Sequence, residues 1–192
     1  GYGQQKSYAA NLATHNMILS LDADESLDEE AIAEIQNLKR NGFDELYLIK
    51  RKTFYCGHWV KYCGWYPDKK LRLWNRIHAN WSLDKLHETV LPNNLHAPNQ
   101  LLKGNILHYS YKTTQDHLNQ LDRFSTMAAK KYFDQGKKSF LFQAQWSYVI
   151  KFLEVYIYKL GILDGKTGFT IALLSAYGQF LKYHKLHLLN RS

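Results

Sequence analysis

The densest chemistry in the chain lies in residues 17–25, Met-Ile-Leu-Ser-Leu-Asp-Ala-Asp-Glu, where an apolar run ends in three carboxylates, Asp22, Asp24 and Glu25. A short continuous apolar stretch predicts a buried central strand covered on both faces. In open α/β sheets, ligands gather at the carboxyl ends of the strands. Side chains alternate along a strand, so Asp22 and Asp24 point the same way and can share one hard cation. The same spacing also suits a strand end followed by a helix cap, with Asp24 or Ser26 capping an acidic helix.

The elements that must position these carboxylates follow from periodicity. Residues 4–14 read as a short amphipathic helix with Tyr8, Leu12 and the neighbouring alanines inward. Residues 28–39 read as a second helix: Ile32, Ile35 and Leu38 recur at helical spacing, acids fill the first turn, and Lys39 and Arg40 close it. Asn41-Gly42 stops it. Residues 46–52, 70–74 and 106–109 read as strands, with Arg72 between Leu71 and Leu73 and His108 near a strand end. The aromatic, glycine-punctuated stretch 53–68 is either a packed Ω-loop or the lining of an acceptor groove.

Beyond residue 112 the pattern turns helical. Residues 113–133 carry Leu118, Leu121, Phe124 and Met127 on one face, and helices at 140–160 and 169–186 follow. The uncharged run 168–181 is 14 residues long, short of the roughly 20 needed to span a bilayer. It suits an interfacial helix or a helical hairpin packed on the domain.

Composition narrows the class. The chain has 192 residues, 45% of them hydrophobic and 15% aromatic, enough for one domain with a core and an appendage. Two cysteines, Cys56 and Cys63, make neither a disulfide framework nor a metal-ligand pattern, which fits a reducing cytoplasm. The net charge of +8 is uneven: residues 137–192 hold eight Lys or Arg against two acids. A basic, aromatic-rich tail points to an anionic membrane surface; no nucleic-acid recognition motif is present. The opening Gly1-Tyr2-Gly3 reads as mid-domain sequence, so the chain is expected to be a fragment.

Separated pieces then agree. Gly-Tyr-Gly-Gln-Gln-Lys-Ser-Tyr-Ala (1–9) followed by Ile-Leu-Ser-Leu-Asp-Ala-Asp-Glu (18–25) resembles the middle of a family-2 glycosyltransferase. Cys-Gly-Trp-Tyr-Pro-Asp (63–68), Leu-Arg-Leu-Trp (71–74), Leu-His-Glu (86–88), Leu-His-Tyr-Ser-Tyr (107–111) and Lys-Leu-Gly-Ile-Leu-Asp-Gly-Lys-Thr-Gly-Phe (159–169) resemble the branch that adds glucose to heptose in the bacterial lipopolysaccharide inner core. The resemblance implies an α/β, truncated GT-A fold (the nucleotide-diphospho-sugar transferase type) over residues 1–112. A helical, membrane-interfacial region would follow over 113–192, and the N-terminal nucleotide-binding part would be missing. It further implies that Asp22-Ala-Asp24 is the Asp-X-Asp motif, with Asp24, Asp22 and His108 at a Mn²⁺ or Mg²⁺ ion. That ion would neutralise a departing diphosphate.

Glu88 matches the general base, with Asp68 as its rival. On the donor side, Asp22 would help with the metal or the ribose, Lys6 would approach the donor, and Arg72 would steer the diphosphate or an anionic acceptor; Trp65, Tyr66 and Asp68 would bind the acceptor. The implied activity is inverting transfer of a hexose, glucose from UDP-glucose, to a lipid-linked saccharide at the cytoplasmic face of the inner membrane. The competing class is a non-catalytic membrane-surface or glycan-binding module in which the carboxylates only cap a helix.

Overall fold

The computed structural model describes residues 2–43, 46–82, 89–93, 99–140 and 142–191; Glu88 lies outside them. In chain order the elements begin with α1 (Tyr2–Leu12), β1 (Met17–Leu19), β2 (Glu25–Leu27) and α2 (Glu29–Asn41). The strands β3 (Leu46–Tyr55), β4 (His58–Trp59), β5 (Asp68–Asn75), β6 (Ala79–Trp81), β7 (Val90–Pro92) and β8 (Asn99–Tyr111) follow. The helices α3 (Thr114–Asp134), α4 (Gln143–Leu153) and α5 (Gly165–Leu189) complete the chain, with a π-helical turn, Glu154–Tyr158, and a 3-10 turn, Gly161–Asp164, joining α4 to α5. Two compact units result: Gly1–Lys52 with Pro67–His108, and Thr53–Tyr66 with Tyr109–Ser192.

The first unit is mixed α/β. Its strand order is β1-β5-β3-β8-β2, and β1 on β5, β3 on β5 and β2 on β8 are antiparallel. The apolar run 17–21 is therefore not the central strand expected of it: β1 is three residues long and ends the strand order. Its alternation explains why, since Ile18 packs inward against a core with Leu46, Trp74 and Trp81 while Leu19 is exposed. A second core gathers Tyr47, Ile49, Leu73, Leu102 and Ile106 under Ile35 and Leu38 of α2.

The helices of this unit also depart from the sequence pattern. α1 turns Gly3 and Ala10 inward, with Ala13 packing on the same core just past its end, and leaves Tyr8 and Leu12 exposed, because the small side chains let the helix approach closely. α2 is capped by Asp28 rather than by Asp24 or Ser26: Asp28 accepts the Ala31 N–H at 2.9 Å, and also the backbone and side-chain N–H of Asn105 at 2.9 and 2.8 Å. Gly104 permits this approach, since a Cβ there would lie 2.1 Å from the Ala31 nitrogen.

The second unit is largely helical. Its stretch 53–66 is a hairpin and turn, not an Ω-loop. Cys56 and Gly57, with φ of 46° and 90°, make the two-residue link between β3 and β4, the pair of positive φ values that a type I′ turn requires. Val60 and Cys63 then fold into a core with Tyr55, Val155, Ile171 and Ala172. Thr113 and Asp116 form a reciprocal capping box at the start of α3. On α3 the inward residues are His117, Ser125 and Ala129, whereas Phe124 and Met127 are exposed. α5 packs along α3 and α4, burying Gly168, Ile171, Ala172, Leu174 and Ala176. The run 168–181 is thus a helix packed along one face, with Phe169, Leu173 and Tyr177 exposed on another. No helix among the described residues is long and apolar enough to cross a membrane.

Candidate active site

Asp22 stands between two cations. Its Oδ1 accepts from Lys6 Nζ at 2.6 Å and its Oδ2 from Arg72 Nη2 at 2.9 Å. α1 brings Lys6 on its inward face, and the central residues of β5 bring Arg72 on the same side as Trp74. Burial pushes the Asp22 carboxyl up, but the Lys6 and Arg72 hydrogen bonds and charges outweigh it and hold the group below its ordinary 3.8. Both cations also lie over the Trp81 ring, Lys6 at 4.9 Å and Arg72 at 5.8 Å from its centre.

Behind this pair is a buried ionic network. Glu25, whose side chain is wholly buried, accepts from Arg72 Nη2 at 3.0 Å and lies 3.5 Å from Arg51 Nη1. Its other oxygen accepts the Asp22 N–H at 3.0 Å. Arg51 donates to Asp68 through Nε at 3.0 Å and Nη2 at 2.7 Å, and Lys70 reaches the same carboxylate at 3.1 Å. Lys6, Asp22, Arg51, Lys69, Lys70 and Arg72 line one cleft of about 330 Å³ with Trp81 at its wall. Buried Arg72 keeps two further donors, Nε and Nη1, with no hydrogen-bond partner among the described residues.

Asp24 and His108 form a separate pair, Oδ2 to Nε2 at 3.1 Å, where β2 meets β8. The Asp24 side chain is half exposed. Burial, then the charge of Arg51, holds His108 below its ordinary 6.5 against the pull of Asp24 and Glu25. The imidazole is therefore neutral at pH 7, the form that ligates metals. One carboxylate oxygen and one imidazole nitrogen side by side suit a Mg²⁺ or Mn²⁺ ion that takes its other ligands from phosphate and water. No group of three His, Cys, Asp or Glu side chains converges among the described residues, and both Asp22 oxygens are already engaged by cations.

The structure thus brings Lys6, Asp22 and Arg72 together, and Asp24 with His108. Asp68 belongs to the same unit but sits in the Arg51 and Lys70 ion pairs. Trp65 and Tyr66 belong to the second unit; Trp65 packs against Tyr55, Tyr111 and His117. Sequence reasoning missed Glu25, Arg51, Lys69, Lys70 and Trp81 as parts of the site. Glu25 was signalled by its place in the acidic run, and Arg51 by alternation with Ile49. Nothing local marks Trp81.

No protein-family profile matches the chain. It is similar to an uncharacterised glycosyltransferase of Rickettsia typhi, 28% identical over 199 residues that cover 99% of this chain and 68% of that protein. A Rickettsia prowazekii counterpart is likewise 28% identical, over 97% of this chain and 67% of its own length. The lipopolysaccharide core biosynthesis glycosyltransferase LpsC of Rhizobium meliloti is 25% identical over 97% of this chain and 69% of its own. Over nearly its whole length, then, the chain is similar to glycosyltransferases.

Proposed function

We propose that the chain carries the catalytic part of a GT-A-type inverting glycosyltransferase. It would move a hexose, glucose from UDP-glucose, to a lipid-linked saccharide of the lipopolysaccharide core or a related glycan. The observation that carries this reading is the cationic cleft lined by Lys6, Asp22 and Arg72, in the same unit as the Asp24–His108 pair. A buried guanidinium with two donors unmet among the described residues is costly until an oxyanion meets it, and a sugar nucleotide presents such oxygens in its diphosphate. Lys6 supplies a second charge at the same place. Similarity to glycosyltransferases, one of them a lipopolysaccharide core enzyme, runs in the same direction.

In this reading Arg72 and Lys6 bind and orient the diphosphate, and Asp22 holds those two cations in place. Asp24 and His108 would hold a Mn²⁺ or Mg²⁺ ion, which when bound supplies positive charge to the leaving group. The acceptor hydroxyl needs a base on the opposite face of the hexose, and a single displacement there turns an α-linked donor into a β-linked product. Glu88 is assigned that proton. Both oxygens of its rival Asp68 are already taken by Arg51 and Lys70.

Donor turnover tests this. A panel of UDP-, GDP- and CMP-sugars is offered with Mn²⁺ or a chelator, in the presence of lipopolysaccharide core acceptors. The expected result is metal-dependent release of UDP from UDP-glucose, lost in Asp24→Ala and reduced at least about a hundredfold in Glu88→Gln. Silence toward every donor, from this chain and from one carrying the remaining length of its relatives, would sink the reading.

A further inference from the structure

α4 turns an apolar stripe to solvent. Trp146, Ile150, Leu153 and Ile157 follow one another at the spacing of a single helical face, and they are 67, 62, 51 and 53% exposed. Phe142 and Val149 flank the stripe, and Tyr158, Ile162 and Leu163, all exposed, extend it through the turns that follow. The opposite face of the same helical segment is the packed one, with Ala144 and Val155 buried. Contiguous exposed apolar surface of this extent marks an interaction site rather than a solvated face.

The surroundings say what covers it. Residues 137–192 carry eight Lys or Arg and two acids, a surplus of six positive charges. Both acids are engaged within the unit. Glu154 is held by Lys151 at 2.9 Å and Lys159 at 2.6 Å, and buried Asp164 accepts the backbone N–H groups of Lys61 and Tyr62. Lys138 and Lys166 are exposed and stand close in sequence to the two ends of the apolar stretch. Tryptophan and tyrosine beside lysines are the chemistry of a bilayer interface, where the rings sit at headgroup level and ammonium groups meet lipid phosphates. A second copy would set an equal positive surplus against the first, which opposes that pairing.

We propose that this stripe is the docking face for an anionic lipid bilayer. Trp146, Ile150, Leu153 and Ile157 enter the boundary between headgroups and acyl chains, and Lys138 and Lys166 lie at the phosphates. The inference stands on exposure and charge and does not rest on the transferase reading, because lipid binding is measured without donor or acceptor.

The test is co-sedimentation of the full 192-residue chain with vesicles of phosphatidylcholine alone or mixed with phosphatidylglycerol. Binding is expected to the anionic vesicles, with Trp146 fluorescence quenched by brominated acyl chains and that quenching lost in Trp146→Phe. The pair Ile150→Glu and Leu153→Glu, at positions already in water, is expected to keep the circular dichroism spectrum and melting point while binding falls at least about tenfold. Neutralising Lys138 or Lys166 to Gln costs about fivefold each at low salt. Undiminished binding by the double Glu variant overturns the proposal. So does a wild-type dimer that the same variant splits without any vesicle binding, since a second copy would then cover the stripe. Vesicle binding together with absent donor turnover would sink the transferase reading and leave this one standing.

Discussion

Glu25 exposes none of its side chain yet meets Arg72 and Arg51 at 3.0 and 3.5 Å and takes the Asp22 N–H on its second oxygen. It therefore does two jobs at once. It balances the charge of a buried guanidinium, and it fixes the backbone of the carboxylate that faces the cleft. Removing one partner of a buried ion pair strands the other, which costs about 3–5 kcal/mol, whereas the pair itself adds little net stability. Asp22 remains beside Arg72, so the lower end of that range is expected for Glu25→Gln. The measurement is urea denaturation, in which the midpoint should fall with an unchanged slope. An unchanged midpoint would mean that Asp22 alone balances Arg72. At this scale residue types were informative where chemistry is local: Asp22, Asp24 and Arg72 stand out by spacing and by a charge set among apolar neighbours. Glu25, Arg51 and Trp81 acquire their roles only when β2, β3, β5 and β6 come together, and no local window of the sequence contains all four.

Elements show the same division more sharply. The acids at the start of α2 and Gly42 at its end were legible, since cap chemistry is written in a few adjacent residues. The facing of α1 was not. Tyr8 and Leu12 are its large apolar residues, but the helix packs through Gly3 and Ala10, where small size rather than hydrophobicity decides the contact. The run 17–21 misled for a related reason, because an apolar stretch of that length does not distinguish a central strand from the end of a sheet. Asp28 is the joint between α2 and β8, and its titration should be visible. Burial pushes its carboxyl up, but the N–H groups of Asn105 and Ala31 and the charge of Lys50 outweigh that and hold it below 3.8. A carboxylate depressed in the folded state stabilises the fold above its unfolded pKa, and that contribution is lost as pH falls through the folded value. Asp28→Ala is therefore expected to cost about 1–2 kcal/mol at neutral pH. The wild-type advantage should decline in chemical denaturation as pH falls below the ordinary carboxylate value of 3.8 and through the lower folded value. An advantage that persists into strong acid would show that the joint is held by packing of Gly104 against Ala31 instead.

For the molecule as a whole, each unit holds a histidine below its ordinary 6.5, His108 in the first and His117 in the second, and the larger shift is that of His117. In the second unit His117 is buried, its ring set against Tyr55, Trp65 and Tyr111, with Nδ1 3.1 Å from the Tyr55 hydroxyl. The titratable groups that these contacts bring to it are two phenols, which carry no charge near neutrality. Burial lowers His117 from 6.5 to about 4, so the unfolded chain takes up the proton first as pH falls. Stability from the neutral ring is complete above about pH 6.5 and drains away toward pH 4, by on the order of 3 kcal/mol over the window. In the first unit His108 is shifted the same way but by less, and the Asp28 contribution fades only at lower pH. Acid should therefore loosen the helical unit before the sheet. Hydrogen exchange on the full chain at about pH 5 should show α3 and α5 amides losing protection while those of β3 and β5 keep theirs. His117→Gln, which does not titrate and still offers Tyr55 a hydrogen bond, should flatten the stability slope between pH 6.5 and 4. Equal loss of protection in both units, or an unchanged slope in His117→Gln, would assign the acid sensitivity to groups other than this histidine.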